Sequence, residues 1–143
     1  MIFLDTNLFV HAAGTSSYQA GSAAVIGALG AGTVAATTSV TVIEELWHLE
    51  LSGRVPGLSG VARAAFTLVR PALAVTDEIL AAALDRGAVG RLGANDLLHV
   101  ATGAVHGIDV VVTADQTFDA VPELRRVDPG DLTAVVNLLG EAH

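Results

Sequence analysis

Short, mostly apolar runs alternate along the chain with longer segments of helical periodicity, and this alternation constrains the fold more than any other feature. Five such runs predict buried strands: IFL at 2–4, TVAAT at 33–37, ALAV at 72–75, DVVV at 109–112 and LRRV at 124–127. The segments between and after them predict helices at 17–29, 40–51, 58–69, 77–87, 95–106 and 130–139. Strands separated by helices indicate an α/β fold, a three-layer α/β/α sandwich with a central parallel sheet and right-handed, Rossmann-like crossovers.

Local signals and chain length support this organisation. Thr76 precedes two acids, Asp77 and Glu78, and predicts a helix N-cap, while Gly107 follows the helix that we expect to end at His106. A chain of 143 residues is long enough to bury one core. Because it contains neither an internal repeat nor a Pro/Ser-rich linker, we expect a single domain over residues 1–143.

The composition excludes several classes of protein. With 52% hydrophobic and 15% charged residues, the chain is too apolar to be disordered. It is apolar enough that we expect part of its surface to meet a partner, with a homodimer as the expected state. The absence of cysteine excludes a disulfide framework and a thiolate metal site, and it fits a cytoplasmic protein.

Neither a membrane span nor a secretory signal is predicted. Residues 6–43 contain no Asp, Glu, Lys or Arg, but Ala, Gly, Ser and Thr dominate this stretch, and Leu and Ile are sparse. The first apolar run stops at Asp5 without a basic region before it or a long apolar region after it.

The acidic charge balance limits how the chain can bind nucleic acid. A net charge of -8 argues against a broad phosphate-binding face. All seven basic residues are arginines, whose planar guanidinium groups pair well with phosphate, so a small local site remains open. Arg86 and Arg91 precede Asp96 and are candidates for such contacts, although solvated helix-end positions are the commoner role for arginines there.

Two acids follow predicted strands. Asp5 comes directly after the first strand, and Asp115 comes three residues after DVVV. In open parallel sheets the ligand crevice lies outside the carboxyl ends of the strands, so these two acids are expected to meet there. Taken singly, each position also suits a turn former or a helix N-cap.

Further acids are predicted at the same end of the sheet. Glu44 and Glu45 lie early in the helix after the second strand, and because consecutive helical residues differ by about 100°, only one is expected to reach a shared site. Asp96 begins another helix, where an acid also favours the positive helix end. Four carboxylates crowded together would repel one another unless a cation neutralised them. Oxygen-only ligands select magnesium or manganese over zinc, and magnesium retains waters, one of which can act as a nucleophile.

The other polar and aromatic candidates have plainer interpretations. His99, one turn after Asp96, and His106, just before a strand, are expected to pack or cap helices rather than bind metal. Trp47 is expected to lie in the core or at a partner contact, because a single Trp and a single Tyr do not make a base-stacking platform.

Several of these segments together resemble the PIN-domain ribonucleases, a family that includes the VapC-type toxins of bacterial toxin-antitoxin modules. The resemblance covers nearly the whole chain. It rests on IFLDTN at 2–7, TSVTVIEEL at 38–46, NDLLHVATGAVHGIDVVVTAD at 95–115 and QTFDAV at 116–121. The last two segments and their spacing are fairly specific, whereas LDTN alone would be a weak signal.

The resemblance implies a metal-dependent endoribonuclease that cleaves RNA phosphodiesters with a metal-activated water. The implied catalytic and Mg²⁺ (or Mn²⁺) ligands are Asp5, Glu45, Asp96 and Asp115, with Glu44 as the fallback for Glu45. The implied supporting residues are Thr6 and Asn7 beside Asp5, Thr113 beside Asp115, and Asp119 as an outer acid or a plain surface residue. An RNA substrate, a small antitoxin partner and a 5'-phosphate product are implied as well.

Two alternatives follow from the same residues. A phosphatase with Asp5 as nucleophile is disfavoured, because Asn7 stands where a second Asp would be needed and the chain has no lysine. A catalytically silent PIN-like module that binds protein or RNA stays open, because the acidic charge and missing lysine give no broad RNA-binding face.

Overall fold

A computed structural model describes residues 1–141 of the chain. The strands are β1 (Ile2–Leu4), β2 (Ala36–Thr37), β3 (Val110–Val112) and β4 (Arg125–Val127). The helices are α1 (Thr6–Ala12), α2 (Gln19–Gly30), α3 (Val40–Ser52), α4 (Val61–Val69), α5 (Asp77–Arg86), α6 (Ala94–Val105) and α7 (Leu132–Glu141), with a 3₁₀ helix at Gln116–Ala120.

The strands form one parallel sheet in the order β2-β1-β3-β4. Phe3 is in register with Thr37 on one side and Val111 on the other, so β1 and β3 are the central pair. The chain leaves β1 toward β2 and leaves β3 toward β4, in opposite directions across the sheet. The carboxyl ends of β1 and β3 are therefore the topological switch point, where open α/β sheets bind ligands.

Two groups of helices cover the sheet, and the predicted three-layer α/β/α architecture is confirmed. Helices α1, α2 and α7 pack on one another, while α3 packs on α4 and α6, and α5 packs on α6. The crossover from β1 to β2 and the return from β2 to β3 run in opposite directions, so right-handed connections place their helices on opposite faces. None of the helices within residues 1–141 is long and apolar enough to cross a membrane.

The main core lies between these layers. Leu4 and Val112 at the ends of the central strands are fully buried, as are Leu8 of α1 and Leu46 of α3. Helix ends follow the predicted signals: Thr76 Oγ1 accepts a hydrogen bond from the Ile79 amide at 3.3 Å, and α6 ends before Gly107, whose φ is +68°.

The prediction of a strand at 72–75 is wrong. Leu73 alone forms a bridge, to Ser39 beyond the end of β2. The chain then turns toward the N-cap of α5, and Val75 packs on a small cluster formed by Ile79, Ala83 and Ala101. The run is therefore a single bridge beside the sheet rather than a strand, and its residues are half-buried or, at Ala74, exposed.

Two further differences concern the first half of the chain. No helix was expected directly after Asp5, yet α1 begins at Thr6, and the predicted strand at 33–37 is reduced to Ala36–Thr37. Trp47 is 55% exposed, so its expected place in the core is wrong and a partner contact remains.

One glycine is required by close packing between the two ends of the chain. A Cβ at Gly21 of α2 would lie 2.0 Å from the carbonyl oxygen of Pro129. Atoms cannot approach so closely, so only glycine lets α2 pass the segment that leads into α7.

Candidate metal centre

The candidate site begins where β1 ends, at the switch point of the sheet. Asp5 is the N-cap of α1, and its Oδ1 accepts a hydrogen bond of 2.8 Å from the Thr6 amide. Its Oδ2 accepts one of 2.7 Å from Thr113 Oγ1 at the end of β3 and one of 3.1 Å from Asn7 Nδ2. The two central strands therefore hold this carboxylate between them.

Thr113 and Asn7 make a small network around Asp5. Asn7 Nδ2 also donates to Thr113 Oγ1 at 2.8 Å, and Asn7 Oδ1 accepts from the Ala114 amide at 3.2 Å. The Asp115 amide donates to Thr113 Oγ1 at 3.1 Å. The buried hydroxyl of Thr113 thus links Asp5, Asn7 and the backbone of Asp115.

Asp5 is almost completely enclosed, with only 5% of its surface exposed. Burial raises the pKa of the Asp5 carboxyl, because the charged form loses contact with water. Nearby His99 and the hydrogen bonds from Thr113 and Thr6 offset only part of this rise. The enclosed carboxylate would be stabilised by a cation.

Glu45 reaches the same place from the second turn of α3. Its Oε2 accepts a hydrogen bond from Thr6 Oγ1 and lies 3.3 Å from His99 Nε2. Burial opposes ionisation of Glu45, but the hydrogen bonds from His99 and Thr6 outweigh it, so the pKa of this carboxyl lies below its usual value. Glu45 is therefore held in the charged form that a metal ligand requires.

Asp96 lies in the first turn of α6. Its Oδ2 accepts a hydrogen bond of 3.3 Å from the Gly93 amide at the N-cap. Burial raises the pKa of the Asp96 carboxyl, the Gly93 amide offsets part of this, and the charges of Asp115 and Glu45 raise the pKa further. Asp96 therefore lies near enough to Asp115 and Glu45 for their charges to act on its carboxyl.

Asp115 is the N-cap of the 3₁₀ helix that follows β3. Its Oδ1 accepts hydrogen bonds from the Thr117 amide at 2.9 Å and from Thr117 Oγ1 at 2.7 Å. Capping uses one oxygen only, so the cap is compatible with the predicted role of Asp115 as a metal ligand.

Hydrogen bonds from the protein orient the carboxylates of all four acids. Within residues 1–141, the short hydrogen bonds to Glu45, Asp96 and Asp115 fall on one carboxylate oxygen of each side chain, and Asn95 is a further donor beside Glu45. Asp5 uses Oδ2 for two donors and Oδ1 for one, which leaves acceptor capacity on Oδ1. Each side chain is oriented by its neighbours and still presents oxygen to the site.

Two other acids of the predicted set, Glu44 and Asp119, have exposed side chains. Glu44 is exposed beside a cleft, whereas its neighbour Glu45 faces Asp5. Asp119 is also exposed and forms an ion pair with Arg126, at 2.9 Å from its Nε. Arg126 in turn donates to the Thr113 carbonyl oxygen at 3.1 Å, so Asp119 touches the site only through the backbone of β3.

His99 lies at the floor of the site, where sequence reasoning assigned it only to helix packing. It is 2% exposed, packs against the ring of Phe3, and its Nε2 lies 3.9 Å from Asp5 Oδ1. One signal was available, because His99 follows Asp96 by three residues and residues at this spacing share a helix face.

The donor set fits a hard divalent cation. Single ligand atoms of Asp5, Glu45 and His99 lie within 4.8 Å of one another, and Asp96 and Asp115 are outside this tight group. Carboxylate oxygens predominate, which is the preference of magnesium and manganese. An open cleft of about 420 Å³ adjoins Glu45, and its lining consists of Thr6, Glu44, Glu45, His48, Leu49 and Asn95.

Comparisons with known proteins agree with this geometry. The model of the PIN domain family matches residues 2–124. One similar solved structure is FitAB bound to an IR36 DNA fragment, with a TM-score of 0.65 and 19% identity over 91% of this chain and 96% of that one. Another is VapBC2 from Rickettsia felis bound to a DNA fragment from their promoter, with a TM-score of 0.63 and 17% identity over 90% of this chain and 98% of that one. At these identities the likeness establishes the fold alone, and no curated protein matches the chain.

Proposed function

Because this chain belongs to the PIN domain family, we propose that it is a Mg²⁺- or Mn²⁺-dependent endoribonuclease and the toxin of a toxin-antitoxin pair. The observation that carries the proposal is the gathering of acids at the switch point, where Asp5 and Glu45 lie together and the charges of Glu45 and Asp115 act on Asp96. Asp96 and Asp115 are each held through one carboxylate oxygen, Glu45 is held through Oε2, and Asp5 is held through both oxygens with acceptor capacity left on Oδ1. Building a core does not require such crowding, whereas binding a cation does.

In this proposal the four acids hold the metal, and the remaining residues orient the acids. When bound, a hard divalent cation acidifies water and offsets negative charge that develops on the phosphodiester. Thr113 and Asn7 fix the rotamer of Asp5, and Thr6 fixes Glu45. The side chains therefore need little reorganisation to bind the ion, which favours tight and selective binding.

The proposed substrate is RNA, which would approach over the open cleft beside Glu45. No arginine lines that cleft within the described residues; Arg86 pairs with Glu123, and Arg126 pairs with Asp119 and Asp128, while Arg91 is exposed. A bound divalent ion is therefore expected to contribute much of the attraction for phosphate.

A small antitoxin and a homodimer are the proposed partners. Large apolar side chains are exposed on several helices, among them Trp47 and Leu51 on α3, Leu84 on α5 and Val136 on α7. Exposed apolar surface of this kind suits protein contacts. The pairing of components in FitAB and VapBC2 supports the same proposal by analogy.

The test compares variants that remove one candidate ligand at a time. Asp5→Asn and Asp96→Asn are expected to lose calorimetric Mn²⁺ binding, and to lower cleavage of total cellular RNA at least about a hundredfold, since a metal contributes several kcal/mol to such reactions. Asp119→Asn is the matched control, because this acid already pairs with Arg126. Unchanged cleavage in Asp5→Asn and Asp96→Asn would contradict the nuclease proposal.

The second candidate is a catalytically silent PIN-like module that binds protein or RNA. The net charge of -8 and the ion-paired state of Arg86, Arg125 and Arg126 favour it. Wild-type protein that fails to bind Mn²⁺ in the calorimeter would support this candidate over the nuclease.

A further inference from the structure

We propose that His99 is a positioning residue of the site, whose Nε2–H fixes Glu45 beside Asp5 without itself binding the metal. The inference rests on the proposed function, because it assigns a role within the same metal site. It concerns a residue that the four-carboxylate pattern does not include. The argument depends on which ring nitrogen carries hydrogen and on what each nitrogen faces.

The surroundings of Nε2 require a hydrogen on that nitrogen. It lies 3.3 Å from Glu45 Oε2 and 3.9 Å from Asp5 Oδ1. A bare Nε2 would direct its lone pair at two carboxylates, which is repulsive, whereas an Nε2–H donates to Glu45. The positive end of the same N–H bond also stabilises the negative charge of Asp5.

The other ring nitrogen argues against metal ligation. His99 Nδ1 is buried and has no hydrogen-bond partner within the described residues. The ring lies beside a cavity of only about 10 Å³ with a mainly apolar lining that includes Phe3, Val111 and Phe118. If Nε2 bound a metal, Nδ1 would carry the hydrogen and bury an unsatisfied N–H, whereas histidine ligands normally donate that hydrogen to a partner.

His99 and Thr6 therefore hold the Glu45 carboxylate together. Its Oε2 accepts from both His99 and Thr6, one donor on α6 and one on α1. Two donors from different helices fix the carboxylate in both position and direction. The carboxylate is thereby held in place for the cation.

Two substitutions separate a donor role from a space-filling role. His99→Gln keeps an N–H near the position of Nε2, while His99→Leu fills similar space without a donor. We expect Mn²⁺ affinity in calorimetry to be close to wild type for His99→Gln and about 10–100-fold weaker for His99→Leu, the usual cost of losing a residue that orients a ligand. His106→Leu, at the far end of α6, is the matched control and should bind as wild type does.

Folding and ligation are checked in the same samples. Circular dichroism in EDTA establishes that each variant is folded, and His99→Asn, whose amide is too short to reach Glu45, replaces His99→Leu if that variant does not fold. Pulsed EPR of bound Mn²⁺ is expected to lack imidazole nitrogen coupling in the wild type.

The outcomes distinguish the two proposals. Nitrogen coupling to Mn²⁺, or equal affinity losses in His99→Gln and His99→Leu, would overturn the positioning role while leaving the metal site intact. Wild-type affinity in both His99→Leu and His99→Asn would overturn it as well. Absence of Mn²⁺ binding in the wild type would instead overturn the proposed function and the inference with it.

Discussion

Thr113 Oγ1 donates a hydrogen bond of 2.7 Å to Asp5 Oδ2, between residues 108 positions apart in the chain. The same hydroxyl accepts from Asn7 and from the Asp115 amide. A single side chain therefore aligns the two central strands and orients the carboxylate at the centre of the site.

Two substitutions of Thr113 distinguish the effect of its hydroxyl on stability from the effect of its methyl group. Thr113→Val leaves Asp5 and Asn7 each without one buried partner, and we expect it to lower the free energy of unfolding by about 1–3 kcal/mol. Thr113→Ser keeps the hydroxyl and is expected to lower the free energy of unfolding by less. Urea denaturation of both variants measures this, and an equal loss in both would argue against the hydrogen-bonding role.

The paired acids of α3 should differ sharply in metal binding. Glu45→Gln weakens the site because the replaced side chain has no charge and presents a donor to its neighbours, and we expect Mn²⁺ affinity to fall at least about tenfold, since even outer residues contribute this much. Glu44→Gln changes an exposed side chain beside the cleft and should leave affinity unchanged. If calorimetry gave the reverse order, Glu44 would be the ligand.

The metal-free protein should become less stable as pH rises, relative to Asp96→Asn. Burial raises the pKa of Asp96 above its ordinary value of 3.8, so its stabilising contribution is present below that value and lost as pH rises through the folded pKa. Asparagine can still accept from the Gly93 amide but does not titrate. Thermal unfolding in EDTA between about pH 4 and neutrality measures the difference, and a wild-type protein that gains stability relative to the variant would contradict the sign.

Mn²⁺ should reverse this trend. The ion binds the ionised carboxylates, so its affinity and its stabilising effect increase as Asp5 and Asp96 lose their protons. Glu45, whose pKa is lowered, is already charged in this range. The Tm increase caused by Mn²⁺ is therefore expected to grow with pH in the wild type and to be largely absent in Asp96→Asn.

Two glycines of α2 should respond oppositely to alanine. A Cβ at Gly21 meets the carbonyl oxygen of Pro129 at 2.0 Å, whereas one at Gly27 meets nothing within 4 Å. We expect Gly21→Ala to lower the free energy of unfolding by about 1–3 kcal/mol or more, because the backbone of α2 or of Pro129 must move. Gly27→Ala should stabilise by about 0.5–1 kcal/mol through helix propensity. Similar unfolding curves for the two variants would argue against the close approach of α2 and Pro129.

Much of the fold followed from periodicity, and its failures have local causes. The other four strands and all six predicted helices were located because buried apolar residues recur with different periods in the two kinds of element. The run at 72–75 failed because only Leu73 pairs with the sheet, and an apolar pattern alone does not show whether a segment is buried or paired. Helix α1 was missed because it spans only seven residues directly after a strand, too few for a clear period.

The site was predictable in outline but not in its contacts. Acids after strands and at helix starts indicated where the carboxylates gather, and the structure brings Asp5 and Glu45 together at His99. Spacing could rank Glu45 above Glu44 but could not orient either side chain. The contact between His99 and Glu45 joins α6 to α3 across 54 positions of the chain, and the spacing of His99 from Asp96 could not predict it. The single-domain assignment over 1–143 stays a prediction.

Both outer strands of the sheet leave little room for another strand. Beyond the end of β2, Leu73 already exchanges hydrogen bonds with the Thr38 carbonyl at 2.8 Å and the Val40 amide at 2.9 Å. At the other edge of the sheet, β4 is only three residues long, and two of them, Arg125 and Arg126, form ion pairs. Short, charged or covered edges discourage strand addition and sheet-to-sheet aggregation. Within the described chain, any protein that regulates this site is therefore expected to dock on helices rather than extend the sheet, which directs the search for its partner toward sequences with amphipathic helices.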